Sequence, residues 1–301
     1  MSRPSRLAVS TLSLGLSLML LGSPVVQADE FVNFIGMRFA DIPAGTFTMG
    51  AINCKKALRQ RHHRRTEDEE ARAEDCTRQP RHDLEARDDE APPHEVRLPP
   101  FQMGVHEVTA GQFRHYLQAG GSRQYPLRAF AENNKLGDRF PAVNVNWHDA
   151  QAFVRWLNQH KPASDPGVYR LPSESEWEYA CIDGTRQKYC GNNTPDDVAW
   201  NRDNSLGKES HPHEVGTRGA NVFGLYDMSG NVWEWVQDCY RPSYGQAPAD
   251  GRAVEEKRCA ARVQRGGSYV GPYLMRAAYR NLDRPAARYA NVGFRVVRVL
   301  P

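Results

Sequence analysis

One stretch of the chain decides the fold: Asn221-Val-Phe-Gly-Leu-Tyr-Asp-Met-Ser-Gly-Asn-Val-Trp-Glu-Trp235. In it, Trp233 and Trp235 flank Glu234 directly after the turn residues 229–231. A carboxylate beside large apolar rings loses its hydration, so it needs a strong partner such as a cation or an arginine. Two interpretations are open: a calcium-type site, or a buried strand whose glutamate pairs with an arginine such as Arg265 or Arg295.

The rest of the chain indicates a loop-rich globular protein. Its 301 residues include 24 glycines and 20 prolines, and they contain no internal repeat and no low-complexity linker. Runs with helical spacing and runs typical of strands both occur, separated by long irregular segments. We therefore predict a single α+β domain over residues 29–301.

The N-terminal residues have the three-part layout of a secretory signal. Arg3 and Arg6 precede a largely apolar run over 12–21, and small residues before Asp29 form a cleavage site. We expect a signal peptide at 1–28 and a periplasmic protein with no membrane span after its removal, since an uncleaved anchor would need a longer run. Removal lowers the formal charge from +3 to +1, which gives no general attraction to nucleic acid.

Six cysteines fall into three pairs that are close in sequence. In an exported protein disulfides are their default state, and nearest-neighbour bonding is favoured because each pair closes a polar excursion. The stretch 54–76 is a charged insert in which basic residues precede acidic ones, which indicates a surface excursion or a docking segment for a charged partner. The expected disulfides are Cys54 with Cys76, Cys181 with Cys190, and Cys239 with Cys259.

Local patterns predict the regular elements. Residues 34–50 read as strand, turn and strand. Helices are predicted near 108–117, 149–157 and 174–180, the third opened by a capping box of Ser173 and Glu176. Further strands are predicted around 232–236, 265–269 and 293–299.

Eight motifs, in order, give the chain a family resemblance. Together they resemble the formylglycine-generating enzyme family, also called the sulfatase-modifying factor domain. The resemblance implies a compact α+β fold related to C-type lectins, with little regular secondary structure. The motifs are Gly45–Gly50, His94–Leu98, Glu107–Thr109, Pro141–Trp147, Arg170–Ala180, Asn221–Trp235, Arg265–Ser268 and Gly293–Arg295.

The resemblance also implies metal sites. Family members bind calcium at the turn matching Gly230–Glu234, so Asn231, Val232 and Glu234 are the expected ligands of a structural calcium ion. Copper-dependent members carry two cysteines after the Gly-Gly-Ser motif. Here no cysteine follows Ser268, and Met275 offers only a thioether, which argues against copper and against formylglycine generation. His211 and His213 are expected in an exposed loop.

Part of the family's substrate cleft is retained. The resemblance places Trp235, Ser268, Arg280 and Asn291 along a peptide groove, where they could hold a peptide or aromatic ligand by stacking and hydrogen bonds. Each also has a structural interpretation: Trp235 as core, Ser268 as a turn residue at a strand end, and Arg280 as an ion-pair partner of Glu234 or Asp238.

Among exported members without the two cysteines, the chain resembles those that mature a peptide siderophore. This implies oxidation of dihydropyoverdine to the pyoverdine chromophore. The alternative is a non-catalytic, calcium-containing module that recognises a peptide, a glycan or a periplasmic partner enzyme. No catalytic residue and no redox cofactor is assigned, although Glu234 or a histidine is a candidate base.

Overall fold

The protein is described by a computed structural model over residues 30–54, 81, 83–185, 187–205, 210–271 and 274–301. The predicted signal peptide at 1–28 lies outside these residues. So do residues 55–80, which hold Cys76 and nearly all of the charged insert. No helix in the described part of the chain is long and apolar enough to cross a membrane.

Short elements separated by irregular segments make up the α+β fold that the sequence predicts. The helices are α1 (Ala110–Gln118), α2 (Leu127–Asn133), α3 (Trp147–His160), α4 (Glu174–Ile182) and α5 (Pro195–Val198). The strands are β1 (Phe31–Val32), β2 (Arg38–Ile42), β3 (Gly45–Met49), β4 (His94–Leu98), β5 (Phe101–Gly104), β6 (Val168–Arg170), β7 (Ala199–Trp200), β8 (Ser229–Gly230), β9 (Trp233–Cys239), β10 (Arg262–Arg265), β11 (Asn281–Asp283), β12 (Val292–Phe294) and β13 (Val297–Val299).

Two larger sheets organise these strands. The five-stranded sheet has the order β1-β2-β5-β13-β6, and all its pairings are antiparallel. The four-stranded sheet has the order β11-β10-β9-β12, in which β9 and β12 run parallel. The pairs β3-β4 and β7-β8 form two small sheets. Apolar side chains between these layers form two large clusters, one around Phe113, Phe153 and Phe294 and one around Trp177, Val236 and Val263.

The three predicted helices are confirmed, because their signals are local. Thr109 with Gln112 caps α1, and Ser173 with Glu176 caps α4, each through a reciprocal capping box. The second helix, α3, begins two residues before the predicted start and is capped by Asn146.

The predicted strands are partly displaced. Strands β2 and β3 both form, but β2 pairs with β1 and β5 while β3 pairs with β4, so they are not a hairpin. The strand predicted at 265–269 is β10 at 262–265, because Gly266 and Gly267 take φ values of 94° and 80° that end it. The strand predicted at 293–299 is divided between β12 and β13.

Buried ion pairs connect the layers. Arg295 donates from Nε and Nη2 to the two oxygens of Glu234 at 2.7 and 2.6 Å, and Trp177 Nε1 donates to the same carboxylate at 2.7 Å. Neither member of the pair is exposed to solvent. The predicted pairing of Glu234 with an arginine is therefore observed, and the arginine is Arg295. Four more buried arginines in the described part of the chain form such pairs: Arg265 with Glu178, Arg276 with Glu90, Arg280 with Glu174, and Arg298 with Asp165.

Two of the expected disulfides are present, Cys181–Cys190 and Cys239–Cys259. The first joins α4 to the loop before α5. The second closes the loop 240–258, which follows β9. The partner expected for Cys54 lies among the residues that are not described.

The buried pair of Glu234 and Arg295 predicts a large cost when one partner is removed. Arg295→Met leaves a buried carboxylate without its cation, so we expect the free energy of unfolding in urea to fall by about 3–5 kcal/mol. Arg128→Met removes an exposed i,i+4 pair with Glu132 and should change it by less than about 0.5 kcal/mol. Equal effects of the two substitutions would contradict the central role of the buried pair.

Asp238 predicts a pH dependence of stability. Its oxygens accept the N–H groups of Glu174 and Val254 at 2.7 and 2.8 Å. Burial, followed by the charge of Glu174, raises the pKa of Asp238 to about 7, although Arg280 and the two N–H groups oppose this. The folded state therefore retains a proton that the unfolded chain releases near pH 4 (an ordinary pKa of about 3.9). This contribution to stability is full below about pH 4 and is lost as the pH rises through 7.

Urea unfolding between pH 4 and pH 8 measures this contribution. We expect the loss of stability on raising the pH from 4 to 7 to be smaller in Asp238→Asn than in the unmodified protein. Asp203→Asn, at an exposed position, is the control and should keep the original slope. An unchanged slope in Asp238→Asn would show that this carboxyl group does not carry the effect.

Candidate functional site

The structure separates the four predicted cleft residues. Trp235 has no exposed surface, and its Nε1 donates to the carbonyl of Val145 at 3.0 Å within the core. Both faces of strand β9 are buried, so the alternation of side chains along the strand does not direct Trp235 toward solvent. Its placement in an open cleft is therefore corrected: Trp235 is a core residue.

Arg280 also lies apart from the other predicted cleft residues. Its Nε and Nη2 donate to Glu174 at 2.7 and 2.8 Å, and its guanidinium lies 4.3 Å from the ring centroid of Tyr244. The ion-pair interpretation of Arg280 is thus observed, although the partner is Glu174 rather than Glu234 or Asp238. Arg280 lines a different cavity from the one near Ser268.

Ser268 and Asn291 are the two predicted cleft residues that meet. Asn291 Nδ2 donates to Ser268 Oγ at 3.2 Å. The left-handed residues Gly266 and Gly267 place Ser268 at this point, and a side chain on Gly267 would collide with Met275, 2.7 Å away. The pair joins the end of β10 to the beginning of β12, at the position where the family resemblance places the substrate.

A recess of about 220 Å³ has Tyr269 and Ala290, the sequence neighbours of Ser268 and Asn291, in its wall, while Ser268 and Asn291 themselves lie behind that wall. Leu136 and Phe140 form an apolar side, and His211 also lines the recess. Asn134 supports the same wall through three hydrogen bonds to the backbone of Phe130 and Val143. We use the name Ser268 recess for this cavity together with the neighbouring pair Ser268–Asn291. Such a lining suits a flat apolar group with polar atoms at its edge.

Sequence reasoning missed Leu136, Phe140 and His211. The segment 134–140 has no helical or strand period, and its contribution depends on packing against a distant loop. His211 is half-buried rather than exposed, and its Nδ1 lies 2.7 Å from the carbonyl oxygen of Pro212. The only available signal was the pair of histidines around Pro212, which was interpreted as an exposed loop.

An aromatic stack lies beside His211. The ring of His213 is stacked on Trp200 with 3.7 Å between centroids, and Arg218 lies 3.8 Å from the same indole. Burial, then the neighbouring His211 and Arg218, lower the pKa of His213 to about 4, so its ring is neutral at neutral pH. The stack gives the loop 210–218 a fixed position next to the recess.

The expected calcium ligands have other partners in this structure. Both oxygens of Glu234 accept from Arg295, and Asn231 bonds through Oδ1 to the N–H of His213 and through Nδ2 to Glu107. Val232 is buried and can offer only its backbone. Glu234 therefore has no oxygen left without a partner.

Two buried carboxylate oxygens beside these residues do lack a partner: Glu107 Oε2 and Asp227 Oδ1. Burial, then the charges of Asp227 and Glu234, raise the pKa of Glu107 well above its ordinary value, and burial raises that of Asp227 to about 6. Such oxygens suit a hard cation. Among the described residues no three His, Cys, Asp or Glu side chains are arranged for a metal, so backbone carbonyls would complete its shell.

At the copper position of the family resemblance, the structure has an apolar side chain. Met275 is fully buried in a small cluster with Tyr189, Val198 and Ala199. Its thioether is therefore part of the packing behind the segment 266–271, and not a ligand directed into the Ser268 recess.

Comparison with known proteins identifies chains that are similar in sequence and in fold. The chain is 30% identical over 236 residues to the serine/threonine-protein kinase pkn1 of Chlamydia caviae, which covers 71% of this chain. It is 28% identical to the formylglycine-generating enzyme of Streptomyces coelicolor, covering 69% of this chain and 81% of that protein. The structure of PvdO from Pseudomonas aeruginosa superimposes with a TM-score of 0.69 at 28% identity, covering 90% of this chain and 98% of that chain.

The extent of these matches differs between relatives. The chain spans about a third (35%) of the length of the Chlamydia kinase, so only one region of that protein is shared. The model of the sulfatase-modifying factor enzyme 1-like domain matches residues 37–300, which is nearly all of the described chain. On this match, the chain belongs to the sulfatase-modifying factor family, the family of the formylglycine-generating enzymes.

Proposed function

We propose that this protein acts in the periplasm in the oxidative maturation of a peptide siderophore precursor, converting dihydropyoverdine into the pyoverdine chromophore. The observation that carries the proposal is the superposition with PvdO along nearly the whole of both chains. The segment after Ser268 supports it, since it has no cysteine for the copper chemistry of formylglycine generation.

The reaction removes two hydrogen atoms from the precursor and forms a carbon–carbon double bond. Two electrons and two protons pass to dioxygen, which becomes hydrogen peroxide. In the proposal, the flat ring system lies in the Ser268 recess against Leu136, Phe140 and Tyr269. The hydroxyl of Ser268 and the amide of Asn291 bind polar atoms at its edge.

We assign His211 as the base that takes a proton from the bound precursor. Its ring lines the recess, and a hydrogen bond from Nδ1 to the carbonyl of Pro212 leaves Nε2 with a free lone pair. Glu234, the other candidate base, is excluded by its two bonds to Arg295. Removing a proton makes the precursor electron-rich, which favours its oxidation by dioxygen.

Turnover by the purified protein tests this assignment. With dihydropyoverdine in air, the protein should consume dioxygen and produce the fluorescent chromophore. We expect His211→Ala to lower kcat/KM by about 100-fold or more, and Ser268→Ala and Asn291→Ala by about tenfold each through lost hydrogen bonds. Ser164→Ala, at an exposed turn, is the control. Normal secretion of mature siderophore by a deletion strain would contradict the proposal.

A second candidate function is a non-catalytic binding module for a peptide, a glycan or a partner enzyme. The lining of the Ser268 recess favours it, because few of the lining side chains could transfer a proton. Among the described lining residues, the titratable side chains are those of His211 and Tyr269. In that case the precursor would bind to the purified protein and remain chemically unchanged, and Ser268→Ala would weaken binding only.

A structural calcium ion is part of both proposals. We place it against Glu107 Oε2 and Asp227 Oδ1, next to the turn that holds Asn231, Val232 and Glu234. The ion would compensate the charge of buried carboxylates that outnumber the single guanidinium of Arg295.

Thermal unfolding with and without calcium tests the ion. At a calcium concentration about 100-fold above Kd, we expect stabilisation of about 2.7 kcal/mol relative to EGTA, seen as a higher Tm. Glu107→Gln should remove most of that difference, whereas Glu132→Gln, on the surface of α2, should retain it. The same Tm in calcium and in EGTA would exclude the ion.

A further inference from the structure

A second cavity of about 310 Å³ has no assigned role. Glu174, Asp238 and Arg280 form its floor, and none of its lining residues lines the Ser268 recess. We call it the Asp238 cavity. It is independent of the function proposed above, because neither His211 nor the pair Ser268–Asn291 contributes to it.

Most of the wall comes from the loop 240–258, which the disulfide Cys239–Cys259 closes. Hydrogen bonds fix this loop to the rest of the domain. Tyr244 donates its hydroxyl to Glu174 at 3.0 Å, Ser173 Oγ donates to the carbonyl of Gly251 at 2.7 Å, and Arg280 donates to the carbonyl of Arg241 at 2.8 Å. The cavity is therefore preformed, so little conformational entropy is lost when a ligand binds.

The charges around the cavity leave one carboxyl group without a cation. Arg280 neutralises Glu174, and Arg241 pairs with Glu256 at 2.7 Å. Arg252 lies 3.6 Å from Asp250. Asp238 accepts only backbone N–H groups and forms no ion pair with a described residue. When it is ionised, Asp238 is thus a lining carboxylate that no described cation contacts directly, and this carboxylate favours an ammonium group at that point of the cavity.

The remaining lining is largely apolar. Met49 and Tyr244 are buried side chains that offer a thioether and an aromatic face, and Val254 and Ala247 lie on the loop. A cavity of about 150 Å³ is enough to bind benzene in other proteins. A volume of about 310 Å³ accommodates an aromatic ring with a short side chain.

We propose that the Asp238 cavity binds a small aromatic amine, with its ammonium group facing the carboxylate of Asp238 and its ring between Met49, Tyr244 and Val254. The carboxylate oxygens each accept one backbone N–H and retain lone pairs for the ammonium donors. The ligand supplies the direct ion pair that Asp238 does not form with a described residue.

Isothermal titration calorimetry on the full chain tests the proposal with tyramine as the probe. We expect a Kd below about 1 mM. The acid 4-hydroxyphenylacetate has a similar ring and the opposite charge, and should bind at least about tenfold more weakly. No heat from tyramine at millimolar concentrations, or equal binding of the acid, would overturn the proposal.

Two variants locate the binding. Asp238→Asn removes the charge and should weaken tyramine binding by about tenfold or more. Ala247→Trp fills the cavity from its partly exposed rim and should abolish binding, which keeps the test valid if Asp238→Asn does not fold. Matched controls are Asp203→Asn and Val222→Trp, both at exposed positions. Unchanged affinity in Ala247→Trp would place the amine elsewhere and overturn the assignment.

Discussion

The pairing of Glu234 with Arg295 is the interaction on which the other parts of the structure depend. Glu234 lies in β9, between Arg265 of β10 and Gly293 of β12. Arg295 also donates to the carbonyls of Gly104 and Tyr226, so one guanidinium connects the four-stranded sheet with the end of β5 and with the loop before β8. The Trp177 bond adds α4 to the same carboxylate. A buried pair of this kind gives little net stability over an apolar pair, but its geometry permits few alternatives.

Other buried arginines also donate to backbone carbonyls, in segments that form few regular hydrogen bonds. Arg265 donates to the carbonyls of Ala277, Ala278 and Tyr279 besides its bond to Glu178. These carbonyls belong to an irregular segment that no strand pairs with. Buried guanidinium groups satisfy backbone acceptors there, which otherwise would carry a desolvation cost. The number of buried arginines is therefore related to the loop-rich composition, because irregular segments leave backbone carbonyls that the arginines bind.

Interactions between residues close together in the sequence could be predicted, whereas those between distant residues could not. The capping box joins Ser173 and Glu176, which are three positions apart, and was predicted correctly. The partner of Glu234 is 61 residues away, and two arginines remained equally possible from the sequence. Trp235 could not be assigned to core or cleft, because a strand buried on both faces has no polar alternation.

The prediction of the candidate site from the sequence was limited in the same way. The family resemblance, carried in part by the motif Arg265–Ser268, identified Ser268, and the structure adds that Gly266 and Gly267 are left-handed. The opposite wall, Leu136 and Phe140, comes from an irregular segment that meets Tyr269 only in the folded protein. Asp238 was considered only as a possible partner of Arg280, because its lack of an ion pair is a property of the whole neighbourhood and not of any short motif.

Strand β13 has a consequence for the order of folding. It lies inside the five-stranded sheet, between β5 and β6, although it follows every other described strand in the chain. Arg295 reaches Gly104 across 191 residues of sequence. A nascent chain that has not yet presented residues 292–299 thus lacks both an interior strand of the five-stranded sheet and the cation of Glu234. Such a topology closes late and slowly, so the domain completes its folding only after its last strand is available.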